Sequence, residues 1–317
     1  MAYIPRFDIQ QKNVKPSIQS HFFRLLSKAL AAYLASKDGV EEWRKISAYR
    51  SEKPAVPQGV QLQRVNIGNV PAEWLIPAQA DDAEKTILYF HGGAWLFGWY
   101  NTHRMLLGHI SKQARKRALA VDYRLAPEYP FPAALEDCLA GYHYLLDRGI
   151  RPDQVIMTGD SAGGNLVISS MLALRAAGEP LPVAGVCISP VTDLTAEGVS
   201  YDVNANKDAI LSSGLYAKFA NILQDSYSSG HDPHDQLISP FYADLHGLPP
   251  LLVQAGEDEI LQSSITTFVE KARREGVDVT YEVWPAMWHV WHIYNPYLPE
   301  ARNAVNSITR YIKEKLS

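Results

Sequence analysis

Gly159-Asp160-Ser161-Ala162-Gly163 sets a serine between two glycines, directly after the apolar run Val155-Ile156-Met157. The G-x-S-x-G spacing at a strand-to-helix junction describes a nucleophile elbow. Its small flanking residues let the chain turn sharply and hold the serine hydroxyl at the carboxyl edge of a sheet. The chemistry open to such a hydroxyl is acyl transfer. It attacks a carbonyl carbon when a base takes its proton, donors hold the oxyanion and an acid orients the base. The pentapeptide alone also occurs by chance, so these three complements have to be present elsewhere in the chain.

Thr86 to Phe90 reads as a short buried strand and runs into His91-Gly92-Gly93-Ala94-Trp95. Glycines suit a backbone that passes close to a substrate carbonyl with its N–H groups turned inward, because a Cβ would obstruct the approach. The expected oxyanion donors are the N–H groups of Gly92, Gly93 and Ala162. A second apolar run, Leu251 to Ala255, ends in Gly256-Glu257-Asp258-Glu259. Asp258 is the expected acid, with Glu257 and Glu259 as solvated loop carboxylates. A third, Val279 to Trp284, leads to Met287-Trp288-His289-Val290-Trp291-His292, where His289 is the expected base and His292 its reserve. The histidines at 21, 91, 103, 109, 143, 231, 234 and 246 receive no catalytic role. The order Ser161, Asp258, His289 is that of α/β-hydrolases.

With these residues in place, the chain resembles the hormone-sensitive-lipase-like bacterial esterases, in the branch that carries GDSAG around the nucleophile. The likeness extends to Asp122-Tyr123-Arg124-Leu125-Ala126-Pro127-Glu128, Phe131-Pro132-Ala133-Ala134, Ser239-Pro240 and Leu248-Pro249-Pro250, and so covers roughly Thr86 to the last helix. It implies a serine carboxylester hydrolase with a helical cap, and two-step acyl transfer through Ser161, Asp258 and His289 is expected to need no cofactor. Two departures qualify it: Ala94 stands where a third glycine is usual, and Glu259-Ile260-Leu261-Gln262-Ser263 replaces Pro-Leu-Arg-Asp after the acid. The second leans toward relatives that act on lactones and small esters. The HGGAW string is also similar to that of arylformamidases, which makes an amidase with the same triad the alternative. A non-catalytic small-molecule-binding homologue is the reading from another class, and the presence of both acid and base weighs against it.

The elements that must position these residues alternate strand and helix, which argues for a mainly parallel sheet flanked by helices, an α/β-hydrolase fold in one domain over 1–317. Leu62 to Ile67 and Val70 to Ile76 read as an antiparallel start. Cap segments are expected at about 1–55 and about 195–235. In the first, Phe22, Leu25, Leu26, Leu30, Tyr33 and Leu34 recur at helical spacing, as do Val40, Trp43, Ile46 and Tyr49. In the second, Leu215, Phe219, Ile222 and Leu223 share a face that packs on the core and in part roofs an acyl pocket. Trp95 and Trp288 are the candidate pocket walls, and a walled pocket favours short or compact acyl groups. Phe97, Trp99 and Trp291 belong to the same aromatic groups.

Composition fits one globular enzyme. Its 317 residues are 47% hydrophobic, enough for a large core, and a net charge of −4 offers no basic surface for nucleic acid. The two cysteines, Cys138 and Cys187, fall in a helical and a strand-like stretch and are expected as buried thiols. His231-Asp232-Pro233-His234-Asp235 has metal-ligand residue types, but no matching cluster on fixed elements accompanies it, so no metal is expected. Asp160, Asp193 and Glu128 are expected to be structural. With no charged n-region before an apolar stretch and no run near ~18 apolar residues, the expectation is a cytoplasmic protein without a membrane span. Its expected partner is a small ester, and a homodimer is left open.

Overall fold

A computed structural model describes residues 10–12, 15–37, 39–49, 53–195, 198–211, 215–216, 218 and 222–317. The sheet strands are β1 (Gln10–Gln11), β2 (Val60–Ile67), β3 (Val70–Pro77), β4 (Asp82–Phe90), β5 (Lys116–Val121), β6 (Val155–Asp160), β7 (Ala184–Ile188), β8 (Leu251–Gly256) and β9 (Val279–Trp284). They form one sheet in the order β1-β9-β8-β7-β6-β4-β5-β3-β2. β2 pairs antiparallel with β3 and β3 antiparallel with β5, and every other pairing is parallel. This is the α/β-hydrolase fold, and the antiparallel start read from the sequence is β2–β3. The two-residue β1 was not legible, because two residues carry no period.

Every residue of β6, β7 and β8 is buried. Helices cover both faces of these parallel strands, which is why they read as continuous apolar runs rather than as alternation. The pleat nevertheless sends successive residues to opposite sides. Leu88, Phe90, Met157, Cys187 and Val253 enter one core cluster, while Ile87, Tyr89, Ile156, Val186 and Leu252 enter the other. Both cysteines are buried and free.

The helices include α1 (Ile18–Ala35), α2 (Val40–Tyr49), α3 (Asn101–Ala114), α4 (Ala133–Leu146), α5 (Ala162–Ala176), the short α6 (Val199–Val203), α7 (Gln262–Arg274) and α8 (Pro299–Lys315). α8 has Pro299 and Glu300 in its first turn and Lys313 and Lys315 in its last, matching the helix dipole. Ala301, Ala304, Val305, Ile308 and Ile312 make its buried stripe. Among the described residues no helix is long and apolar enough to cross a membrane.

α1 departs from the usual amphipathic arrangement. It buries Ser20, Ser27 and Ala31 and leaves Phe22 63% and Leu25 70% exposed. Its attachment is polar and close-packed. Ser17 N–H donates to Glu300 at 2.6 Å, Ser27 Oγ lies 2.5 Å from the Tyr294 hydroxyl, and Lys28 donates to the Asn206 carbonyl at 2.7 Å. Small residues on the inner face allow that approach, so Phe22, Leu25 and Leu26 turn outward, while Phe23 and Leu34 pack against the core. α2 is anchored by Trp43, fully buried and donating to the Leu34 carbonyl at 2.8 Å, and by Arg44. Arg44 holds the carbonyls of Leu96 and Ala126 and both carboxylate oxygens of Glu128. Glu128 is therefore an ion-pair partner, as expected of a structural residue.

Candidate active site

The carboxyl ends of β4, β6, β8 and β9 lie along one edge of the sheet, and the loops that follow them carry the chemistry. Ser161 ends the β6 turn with φ 54° and ψ −118°, a left-handed-side conformation that a serine adopts only under constraint. The flanking glycines supply that constraint. A Cβ on Gly163 would sit 2.0 Å from the Phe90 carbonyl oxygen, and one on Gly159 would sit 2.3 Å from the Gly163 oxygen. Both positions demand hydrogen because backbone passes against backbone there. Ser161 is 9% exposed.

His289 Nε2 lies 2.8 Å from Ser161 Oγ, a formed hydrogen bond across 128 residues of sequence. His289 Nδ1 faces Glu259 Oε2 at 3.7 Å, an ion-pair separation longer than a hydrogen bond. With the ring proton on Nδ1 toward the carboxylate, Nε2 is left to accept the serine proton. Burial pushes the Glu259 carboxyl above its ordinary value, while the His289 imidazole and the Ser189 hydroxyl pull it back. Ser189 Oγ donates to Glu259 Oε2 at 2.7 Å and accepts from the Val290 N–H at 3.2 Å, so one hydroxyl joins the acid to the base loop.

Asp258, the acid expected from sequence, is not brought to His289. Its carboxylate pairs with Arg24 at 2.8 Å. The difference lies in how the turn is held by other segments of the chain. The Asp258 N–H bonds the Met287 carbonyl at 2.9 Å, and the next residue begins the buried stretch Glu259-Ile260-Leu261. Asp258 thus ends the outer part of the turn and Glu259 opens the inner part. The two buried apolar residues after Glu259 were the available sequence signal. Glu257 is exposed and accepts from the Ala286 N–H at 3.0 Å, in keeping with a loop carboxylate.

The oxyanion donors also need one correction. Gly92 N–H is already committed to the Asp160 carboxylate at 3.0 Å, which also accepts from the Tyr89 hydroxyl. A Cβ on Gly92 would lie 2.3 Å from that carboxylate, so this glycine is required for close packing and its N–H is not free for an oxyanion. No acceptor within the described residues meets the N–H of Gly93 or Ala94. Ala162 opens α5, so its N–H has no intrahelical acceptor. Gly93 at φ 115° and Ala94 at φ 55° turn the loop back on itself. The available donor set is Gly93, Ala94 and Ala162. Only the fold could reveal that Asp160 consumes the first glycine, which gives this residue its structural role.

His292, the reserve base, is buried on the far side of the loop, with Nε2 2.8 Å from Gln254 Oε1. The Gln254 amide donates to Glu282 and to the Ala304 carbonyl, so its oxygen accepts and His292 carries its proton on Nε2. Burial, with the charge of His289 second, lowers its pKa to about 3. The unfolded chain binds a proton at this site near pH 6.5 and the native one only near 3. The stability His292 contributes is therefore complete above about pH 6.5 and falls as pH drops toward 3, at about 1.4 kcal/mol per pH unit. His292→Gln should lower kcat less than about tenfold and lose less stability than the parent between pH 6 and 4. Parallel melting curves over that range would contradict this.

The aromatic residues expected as pocket walls are packed inside. Trp95 is fully covered and stacks on Tyr227 at 4.1 Å, and Trp288 is fully covered beside Met287, Trp291 and Trp284. Both supply core area, the commoner use of tryptophan. Leu215 is buried in the main core cluster, and Phe219 lies outside the described residues. In the His231–Asp235 stretch, His234 Nδ1 pairs with its neighbour Asp232 at 2.8 Å on the surface.

Comparison with known proteins shows the family of the chain. The profile of a family described as alpha/beta hydrolase fold matches residues 87–293. An acetyl-hydrolase of Streptomyces hygroscopicus is 40% identical over 88% of this chain and 91% of its own length. An esterase of Acinetobacter venetianus is 38% identical over 73% and 74%. The crystal structure of an esterase from the bacterial hormone-sensitive lipase family superposes with a TM-score of 0.88 at 38% identity, over 96% of this chain and 100% of the other.

Proposed function

From a chain that belongs to the hormone-sensitive-lipase-like α/β-hydrolase family and is a carboxylesterase-type hydrolase, we propose the following reaction: hydrolysis of short-chain or compact esters, lactones included, through an acyl-enzyme on Ser161. The observation that carries it is the strained Ser161 in hydrogen-bond contact with His289 at 2.8 Å. His289 Nε2 takes the hydroxyl proton as Oγ attacks the ester carbonyl. The oxyanion that forms is held by the N–H groups of Gly93, Ala94 and Ala162. Buried Glu259 faces the Nδ1–H and stabilises the imidazolium, and its hold on the ring tightens as positive charge develops. His289 then protonates the leaving alcohol, which departs as the carbonyl re-forms. In the second half a water gives its proton to His289, attacks the acyl carbon and releases the acid, and the proton returns to Ser161. Every proton is accounted for by His289 and water, so the cycle needs no cofactor.

A short acyl group is supported by the name of the Streptomyces relative, an acetyl-hydrolase. Residues of about 1–55 and about 195–235 form the cap in this reading, with α1, α2 and α6 among its described helices. The test is a panel of p-nitrophenyl esters from acetyl to dodecanoyl, terpenoid lactones and N-formyl aromatic amines. The expected result is a kcat/KM maximum at acetyl to butyryl. Turnover confined to the formyl amines would replace the esterase by an arylformamidase, and no turnover of any member would leave a binding protein.

A further inference from the structure

One side chain of the amino-terminal helix reaches both loops of the acid–base pair. Arg24 Nη2 donates to Asp258 Oδ2 at 2.8 Å and to the Ala286 carbonyl, and Nη1 donates to the Lys207 carbonyl at 2.7 Å. The guanidinium carbon lies 5.1 Å from the centre of the Trp288 ring. Asp258 is covalently next to Glu259, and Trp288 is next to His289. A single planar cation is thus fixed to the immediate neighbour of the acid and to the immediate neighbour of the base. Both side chains of the Arg24–Asp258 pair are only 19% exposed, so the pair is screened less than a surface one.

The same turn is held from a second direction. Asn204 Nδ2 donates to the carbonyls of Glu257 and Glu259 at 2.9 and 3.0 Å, and Asp208 accepts from the Ile260 N–H at 3.1 Å. Arg24 grips the carbonyl of Lys207, between those two residues. The separation between Glu259 and His289, 3.7 Å, is a few tenths of an ångström too long for a hydrogen bond. Small movements of either loop therefore decide whether the pair closes.

We propose that Arg24 is a positioning residue that couples the amino-terminal helix to the acid–base pair, setting Glu259 and His289 in reactive register through Asp258, Ala286 and Trp288. The inference rests on Glu259 being the acid. Arginine suits the place because its rigid fork serves several acceptors at once and its face lies on an indole, whereas lysine would keep the charge on Asp258 and lose the rest.

The test uses the full chain, with kcat and KM on p-nitrophenyl butyrate and the melting temperature of each variant. Arg24→Gln should lower kcat about 10- to 100-fold with KM within about threefold, and Arg24→Lys should recover part of the loss. Asp258→Asn, which leaves α1 untouched, should lower kcat about tenfold by the same route and decides the matter if Arg24→Gln does not fold. In a Glu259→Gln background, Arg24→Gln should cost less than about threefold, because the route through the acid is already gone. The proposal is overturned if Arg24→Gln or Asp258→Asn leaves kcat within about twofold of the parent. It is equally overturned if Arg24→Gln costs as much without Glu259 as with it, which would mark a purely structural contact. A Glu259→Gln protein with parental kcat would instead remove the assignment of the acid, an outcome read from that variant alone.

Discussion

Ser161→Ala and His289→Ala should each lower kcat by about 10⁶ while the protein stays folded, since loss of the nucleophile or the base disables the whole triad. Neither substitution disturbs the elbow. The serine hydroxyl hydrogen-bonds His289, and the turn itself is imposed by the close approach of Gly159 and Gly163 to backbone. Alanine at 161 keeps the same strained φ, so the melting temperature should change little. An organophosphonate should label the parent on Ser161 and label neither variant at a comparable rate. Covalent label on any other serine, or a Ser161→Ala protein with residual activity within a hundredfold of the parent, would refute the nucleophile.

Glu259→Gln should cost about 10⁴ in kcat with little change in KM, whereas Asp258→Asn should cost only about tenfold. The first figure follows the serine-protease template, in which an amide in place of the acid leaves the geometry intact but favours the wrong imidazole tautomer. Here the amide would lose the charge that faces His289 Nδ1 and would disturb the bond from Ser189. The second figure reflects a carboxylate whose partner is Arg24 rather than the imidazole. Steady-state kinetics of the two variants separates the assignments directly. A larger loss for Asp258→Asn than for Glu259→Gln would restore Asp258 as the acid and show that the turn rearranges in the working enzyme.

The residues of this site differ in how far short-range chemistry determines them. The elbow was legible because its requirement is local: a strained turn with no room for a Cβ leaves a fixed spacing of small residues around the nucleophile. The strands leading to it were legible because burial on both faces writes a continuous apolar run. His289 followed from chain order and the strand before it. The choice of acid was not local. Three consecutive carboxylates share the same composition and the same loop, and what separates them is the direction in which each side chain leaves the turn. Contacts from Arg24, Asn204 and Asp208, residues 50 to more than 200 positions away, decide that direction. The same holds for the oxyanion loop, where Gly92 and Gly93 look alike in sequence until Asp160 takes the N–H of the first. It holds again for Trp95 and Trp288, whose aromatic character suits a pocket wall or a core equally and whose burial depends on what packs against them. Sequence by itself pointed to ester hydrolysis, to Ser161 and His289 and to the sheet that carries them, because the spacing of an elbow and the apolar run of a buried strand follow from covalent geometry and backbone sterics. Tertiary structure decided which carboxylate faces His289 and which amides are free, because a hydrogen-bonding group can be committed only once and its partner is chosen by the fold.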